Sequence, residues 1–237
     1  PVTAAYIIMA ILCAPALAGI LADTMIVEQL MVGLTDPAQA AMFMLVESPY
    51  AAKVMDGMSL DEATALMSAV PFEVAMTMRP MLVDAEALMS FLLVAHLIIF
   101  WLSQDSNVTP PVCLAAFTAA GIAKSPPMAT GFQAWKAAKG LYVVPLLFAY
   151  TPLVTGTFVE MCQIGFFALF GIYGMNAIIA RFSEGPLALW HWPLLVVGSA
   201  LCFLPLDLMS NIVGAISVCV VAVLTHRHNQ SLSVAQL

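Results

Sequence analysis

Charge is what this sequence has least of. Only 9% of its 237 residues are Asp, Glu, Lys or Arg, where a water-soluble domain carries about 25%. A soluble fold of this length has no way to keep the complementary apolar surface away from water. Basic residues are scarcer still, seven in all, and they form no stripe of the kind that binds nucleic acid. Metal and disulfide signatures are missing too. The five cysteines (Cys13, Cys113, Cys162, Cys202, Cys219) sit in apolar runs without a CxxC pair or a histidine at ligand spacing, and read as small packing residues. Neither HExxH nor GxSxG occurs, so no enzyme is expected; an intramembrane enzyme built on His96 or Asp105 would need a partnered nucleophile or metal set. The chain opens on Pro1 with no initiator Met, basic n-region or cleavage site. The expectation is a C-terminal piece of a larger protein.

What is there is apolar. Hydrophobic residues make up 62% of the chain and the mean hydropathy is +0.99, which predicts an all-α, polytopic helical membrane protein. Residues 2–22 form an uncharged run interrupted by Pro15. Residues 23–86 are acidic and Met-rich, with helical rather than strand periodicity in stretches such as DEATALMSAV, and read either as short amphipathic helices at a membrane surface or as a polar loop. Two apolar pieces follow, 87–102 and 112–123, separated by SQDSNVTPP. At 1.5 Å per residue they span about 24 and 18 Å, each short of a hydrocarbon core of about 30 Å. Together they predict one discontinuous transmembrane helix. Further spans are expected near 140–158, 161–180, 189–205 and 209–225, so the chain divides into 1–22, 23–86, 87–158 and 159–237, the last with three additional spans.

Charge orders these segments. Ten of the fourteen acidic residues lie between Asp23 and Glu86. With Lys124, Lys136 and Lys139 placed in the cytoplasm, alternation puts Arg181 and Arg227 on the same side and Glu160 and Asp207 on the other. The C-terminus is then cytoplasmic and the acidic insert extracytoplasmic.

The polar groups inside the apolar run are concentrated at the expected break. Pro110 and Pro111 lack backbone N–H groups, and Pro110 drives Thr109 out of the α region. Freed carbonyls, with oxygens of Ser106, Asn107 and Thr109, make hard neutral ligands suited to Na⁺, and Asp105 adds charge. The competing reading is a proline kink whose polar side chains satisfy freed backbone groups. His96 is either a proton relay or a neutral histidine bonded to a neighbouring helix. His191, between Trp190 and Trp192, reads as an interface anchor, and His226, Arg227 and His228 as a cytoplasmic end signal. Pro145 suggests a kink, Tyr142 and Tyr150 line a cavity or pack, and Gly165, Gly171 and Gly174 allow close helix approach.

Two stretches carry a family resemblance. TAAYIIMAILCAPAL resembles the arm that follows the tip of a re-entrant hairpin in the large permease subunit of TRAP-type transporters. NVTPPVCLAAFTAAGIAKSPPMATGFQAWKAAKGLYVVPLLFAYTPLV resembles their C-terminal block, with its TPPV break and Tyr-containing span, and the tail from Gly156 resembles the fused-permease subfamily. Together these cover about two thirds of the chain. The resemblance implies half of an inverted-repeat, elevator-type transporter in the inner membrane: a Na⁺-coupled symport permease for small organic acids, working by alternating access. Its implied partners are an extracytoplasmic substrate-binding protein and a small membrane subunit, fused upstream or separate. No cofactor is implied beyond Na⁺ as coupling ion. Carried onto this chain, the cation site falls on Ser106, Asn107, Thr109 and Pro110. The substrate site falls on Val2, Thr3, Thr109 and Pro111, with the hairpin tip meeting Pro1. The glycine-rich tip is missing, and about 70 residues separate the arm from the break where the family has a short connection. This insert reads as a contact for the binding protein or as surface decoration. The alternative function is another ion-coupled anion carrier that needs no binding protein.

Overall fold

The structure is a computed structural model that describes residues 2–204 and 207–234, the side chains of 232–234 excepted; Pro1 lies outside them. The helices run in order α1 (Val2–Val32), α2 (Pro37–Phe43), α3 (Leu60–Ala69), α4 (Phe72–Leu82), α5 (Ala85–Asp105), α6 (Leu114–Ala123), α7 (Pro127–Ala137), α8 (Val143–Tyr150), α9 (Phe158–Ala180), α10 (His191–Phe203) and α11 (Leu208–Val234). Short 3-10 turns cover Ala51–Lys53 and Ala138–Tyr142, and no β-strand occurs among the described residues. Among the described residues, four helices are long and apolar enough to cross a membrane: α1, α5, α9 and α11 over Leu208–Ser231. This is the architecture of a helical membrane protein.

Several boundaries differ from the sequence expectation. α1 continues ten residues past Ala22, because Asp23 and Glu28 are isolated charges and no Gly or Pro interrupts the backbone bonds before Gly33. It ends only at Gly33, whose φ of +99° suits glycine. α5 is longer than its apolar core: Asp84 accepts a bond from the Ala87 N–H (2.8 Å) at one end, and Ser103 to Asp105 stay helical at the other. Its 21 residues measure about 31 Å, so α5 is long enough to cross by itself, and the expected pair of short halves is one full-length helix followed by a ten-residue one. The span expected at 140–158 is instead the 3-10 turn plus eight-residue α8. Pro152 forces Thr151 into the extended region (φ −133°, ψ 157°), which stops the helix. Pro145 lies in the first turn of α8, where it needs no hydrogen-bonded N–H, so it marks a start, not a kink. α10 spans 13 residues, about 20 Å. α11 runs on through His226, Arg227 and His228.

Two compact units divide the chain, Ile7–Ile99 and the remainder, Pro1–Tyr6 with Phe100–Leu237. The expected divisions at 22/23 and 86/87 fall inside α1 and α5. In the unit Ile7–Ile99, α1 turns one stripe (Gly19, Ala22, Ile26, Leu30) onto a core that includes Phe43, Val54, Leu66, Met78 and Leu82. The intervening short helices are capped by their own sequence. Asp36 accepts from the Ala38 N–H (2.8 Å) ahead of Pro37, and Ser59 and Glu62 form a reciprocal capping box. The Lys53 ammonium, 2.6 Å from Glu62, and the Ser59 N–H hold the Glu62 carboxyl below its usual range. Its contribution is therefore present above about pH 4.5 and fades as the pH falls further. Gln29 and Gln39 donate to the Leu82 and Met81 carbonyls, satisfying the end of α4.

One ion pair ties α4 to α1. Arg79 grips Asp23 with two parallel bonds, Nε to Oδ1 and Nη2 to Oδ2, both 2.8 Å. The bond to Asp23 raises the Arg79 pKa. The guanidinium lies over Gly19, where an added Cβ would come within 2.6 Å of Nη1. Gly19 is thus the gap in the stripe that admits a charge.

In the second unit α9, α10 and α11 form a bundle around Phe167, Leu195, Val218 and Val221. Backbones meet directly at Gly198 and Gly214: a Cβ on Gly214 would lie 2.7 Å from the Gly198 carbonyl oxygen. Gly171 receives the Phe203 ring and Gly174 the Ser199 hydroxyl, whereas Gly165 faces open space. Cys113 and Cys202 are buried, while Cys162 and Cys219 are exposed.

Asp23→Ala leaves the Arg79 guanidinium unpaired and is expected to lower stability by about 1–3 kcal/mol. Gly19→Val should act through the same group. Thermal unfolding in detergent measures both, with Gly121→Ala, whose added Cβ meets nothing within 4 Å, expected to leave the midpoint unchanged or slightly higher. Gly214→Val is expected to cost more than either, because two backbones rather than a side-chain tip must separate.

Candidate ion site at the helix break

α5 stops at Asp105 for reasons written in the next five residues. Ser106 and Asn107 compete for backbone bonds, and Pro110 bars the α conformation from Thr109. The chain closes on itself instead. The Asn107 N–H donates to the Gln104 carbonyl (3.1 Å), and the Val108 and Thr109 N–H groups both donate to the Asp105 carbonyl (3.0 Å each). On the far side, the Asn107 carbonyl accepts from the Ala115 N–H (3.1 Å) at the start of α6, and the Thr109 carbonyl from the Cys113 N–H (3.1 Å). The peptide between Pro110 and Pro111 is cis.

Asp105 is the centre of the side-chain cluster. Its Oδ2 accepts from the Thr109 hydroxyl (2.7 Å) and, in a very short bond, from the Tyr142 hydroxyl. The Trp135 Nε1 donates to the same tyrosine oxygen (3.1 Å), which also lies 3.3 Å from the Thr109 hydroxyl. Asp105 Oδ1 is buried and has no hydrogen-bond partner.

Three elements bring these groups together. Trp101, one turn before Asp105 on α5, donates its Nε1 to the Leu141 carbonyl (2.9 Å), fixing the 3-10 turn beside the end of α5. α7 rests on the break through Gly131, where an added Cβ would stand 2.9 Å from Cys113 Sγ and 3.3 Å from Pro110 Cγ. Trp135 follows Gly131 by one turn, on the same face. The Lys139 ammonium lies 4.5 Å from the Trp135 ring centre and completes the row.

The expected ligands fare unequally. Thr109 belongs to the cluster. Ser106 turns its hydroxyl to the Ser103 carbonyl (2.8 Å), and the Asn107 side-chain amide contacts Gln104 Oε1 (3.4 Å). Pro110 packs toward α7 and Pro111 is exposed. Val2 and Thr3 lie in the first turn of α1, ahead of Tyr6, whose ring meets Phe100 edge-on at 5.8 Å; among the described residues neither makes a hydrogen bond to the break. Part of the break thus does what a kink requires, since Ser106 and the Asn107 carbonyl satisfy local backbone. Among the described residues of the break, only Asp105 offers an unengaged buried side-chain oxygen. Tyr142 and Trp135 were not expected as its partners. Their signal in the sequence is faint: two aromatics with polar tips, seven residues apart, on either side of Lys136 and Lys139. His191 is buried, its Nδ1 accepting from the Ala188 N–H (3.0 Å).

Comparisons with family profiles, curated proteins and solved structures give no significant match to this chain. Among the described residues no group of three His, Cys, Asp or Glu stands close enough to hold a metal ion.

Tyr142→Phe removes a donor from Asp105 and an acceptor from Trp135, and should lower thermal stability by about 1–2 kcal/mol. Tyr150→Phe, at a tyrosine 75% exposed, should not change it. Equal midpoints for the two variants would show the cluster to be energetically idle.

Proposed function

We propose that this chain is the permease part of a Na⁺-coupled, binding-protein-dependent secondary transporter for small organic acids, a TRAP-type large permease subunit of the fused subfamily. The observation that carries the reading is the carboxylate at the end of α5, with one oxygen held by Thr109 and Tyr142 and the other buried and unengaged. A half-buried carboxylate with one bare, buried oxygen gains most from a donor or cation placed on that oxygen. Around it the carbonyl end of α5 meets the N–H end of α6, the arrangement by which broken helices of secondary transporters hold ions. The TPPV block and the hairpin-arm sequence supply the family resemblance. In this reading Asp105 is the charged ligand, joined by Thr109 and by carbonyl oxygens of the segment Ser106, Asn107 and Pro110. Thr109, Pro111, Val2 and Thr3 face the substrate. Na⁺ occupancy organises the break, and alternating access releases ion and acid together.

The accompanying expectations follow from the charge pattern and the family likeness. The chain lies in the inner membrane with its C-terminus in the cytoplasm. An extracytoplasmic binding protein delivers substrate, and the small membrane subunit is fused upstream or separate.

Uptake by the full-length transporter in proteoliposomes, with and without the binding protein, tests this reading. Asp105→Asn is expected to raise the Na⁺ concentration for half-maximal uptake at least about tenfold, the equivalent of one lost charge-assisted contact. Thr109→Ala and Asn107→Ala should have smaller effects in the same direction. Unchanged Na⁺ dependence in all three variants would remove the site assignment.

A further inference from the structure

A groove of about 390 Å³ lies between α1, α4 and α5, inside the unit Ile7–Ile99, lined by Pro15, Gly19, Met76, Arg79, Leu88 and Leu92 among others. Among the lining residues only Arg79 has a polar side chain. Its Nε and Nη2 are engaged by Asp23 (2.8 Å each), and its Nη1 lies over Gly19. Nη1 has no hydrogen-bond partner among the described residues, and yet it is not sealed from the surface. A guanidinium nitrogen without an acceptor in an apolar groove is costly. The space beside it can hold what it lacks.

Charge and depth say which acceptor fits. The Arg79 charge is already balanced by Asp23, and Lys53, the other Lys or Arg of this unit, is held by Glu62 (2.6 Å). Ten carboxylates lie between Asp23 and Glu86 against these two cations, so an anion approaching Nη1 meets a neutral pair in an acidic surrounding. A neutral carbonyl oxygen escapes that repulsion and still accepts the N–H groups. The depth follows from the ends of the two spans. Asp23 is the first charge after the uncharged run 2–22, and Asp84 and Glu86 stand where α5 begins its apolar run. Arg79 is therefore at the level where both spans enter the hydrocarbon. From there the lining runs back along α1 from Gly19 to Pro15 and forward along α5 from Ala85 to Leu92, a rise of about 10 Å on α5. A donor at the interface with an apolar groove leading inward has the shape of one acyl ester, its carbonyl at the boundary and its chain below.

We propose that this groove holds one acyl chain of a membrane glycerolipid, its ester carbonyl accepting from Arg79 Nη1 and its chain lying along Pro15, Leu88 and Leu92. Met76 and Met89, both in the lining and both exposed, give the groove flexible sides that adapt to a mobile chain. The site is independent of the ion site at the break and requires only that α1 and α5 cross the membrane.

The test uses the full-length protein in nanodiscs of two phosphatidylcholines with equal chains, one ester-linked and one ether-linked. The ether lipid keeps headgroup and hydrocarbon but lacks the carbonyl. The thermal midpoint is expected to be about 2–4 °C higher in the ester discs. That difference should fall at least threefold in Ala18→Phe, which puts a ring into the groove that Ala18 helps to line, and in Arg79→Lys. Lysine keeps a cation for Asp23 but has one nitrogen in place of three, so the second variant stays informative if the first fails to fold. Equal midpoints in the two discs mean that water or another protein segment covers the groove, and overturn the proposal. A difference kept in either folded variant belongs to the bilayer and overturns it as well. So does a midpoint that follows added phosphatidylglycerol instead of the linkage, because the guanidinium would then be holding a phosphate.

Discussion

Backbone hydrogen bonding in apolar surroundings is the constraint that shapes this chain. Where few side chains carry charge and long helices turn apolar faces outward, an interrupted helix must find partners for its freed N–H and C=O groups within a few residues. The segment after α5 does so with a compact set of local bonds: Gln104 and Asp105 carbonyls take three N–H groups, and the Asn107 carbonyl reaches forward to cap α6. That economy has a geometric result. Once the backbone is satisfied locally, the Asp105 side chain is left to the neighbouring elements, and Thr109, Tyr142 and Trp135 arrange themselves around it.

Inside each unit a different kind of packing dominates. Between Ile7 and Ile99 the core is made of large interlocking side chains such as Phe43, Ile26, Leu30 and Leu66, with capped short helices and one bidentate ion pair. This is the packing style of a water-soluble domain, in which burial of apolar area is the driving term. Around α9, α10 and α11 the contacts depend on absent side chains: Gly198 against Gly214, Gly174 against Ser199, Gly171 against Phe203. Close approach of helices through small residues is what remains when the surrounding solvent is as apolar as the side chains.

The class of the fold was legible from composition, because an excess of apolar residues admits few alternatives. The break was legible from the double proline, because Pro110 disfavours the α conformation at Thr109 and neither proline has an N–H to continue the helix. Helix lengths were harder. Ser103, Gln104 and Asp105 look like the end of an apolar run yet continue α5, because hydropathy reports the solvent while helix formation depends on backbone bonds. The span expected at 140–158 failed for a local reason, Pro152 acting through Thr151. The candidate site was half legible. Asp105 and Thr109 are neighbours in sequence, but Tyr142 and Trp135 reach them through the seating of α7 on Gly131, a contact defined by a missing Cβ.

Trp101 and Asp105 sit one turn apart on the same side of α5, and they hold consecutive residues, Leu141 and Tyr142. Two grips in line along a cylinder resist rolling more than sliding. Each residue step turns the helix surface by about 100°, so a roll of even a fraction of that step swings both grips off their partners together. The turn at 138–142 is therefore meshed with α5 as a pawl is with a ratchet wheel: the helix cannot revolve about its own axis without lifting the turn, and the turn cannot lift without exposing the carboxylate that ends the helix.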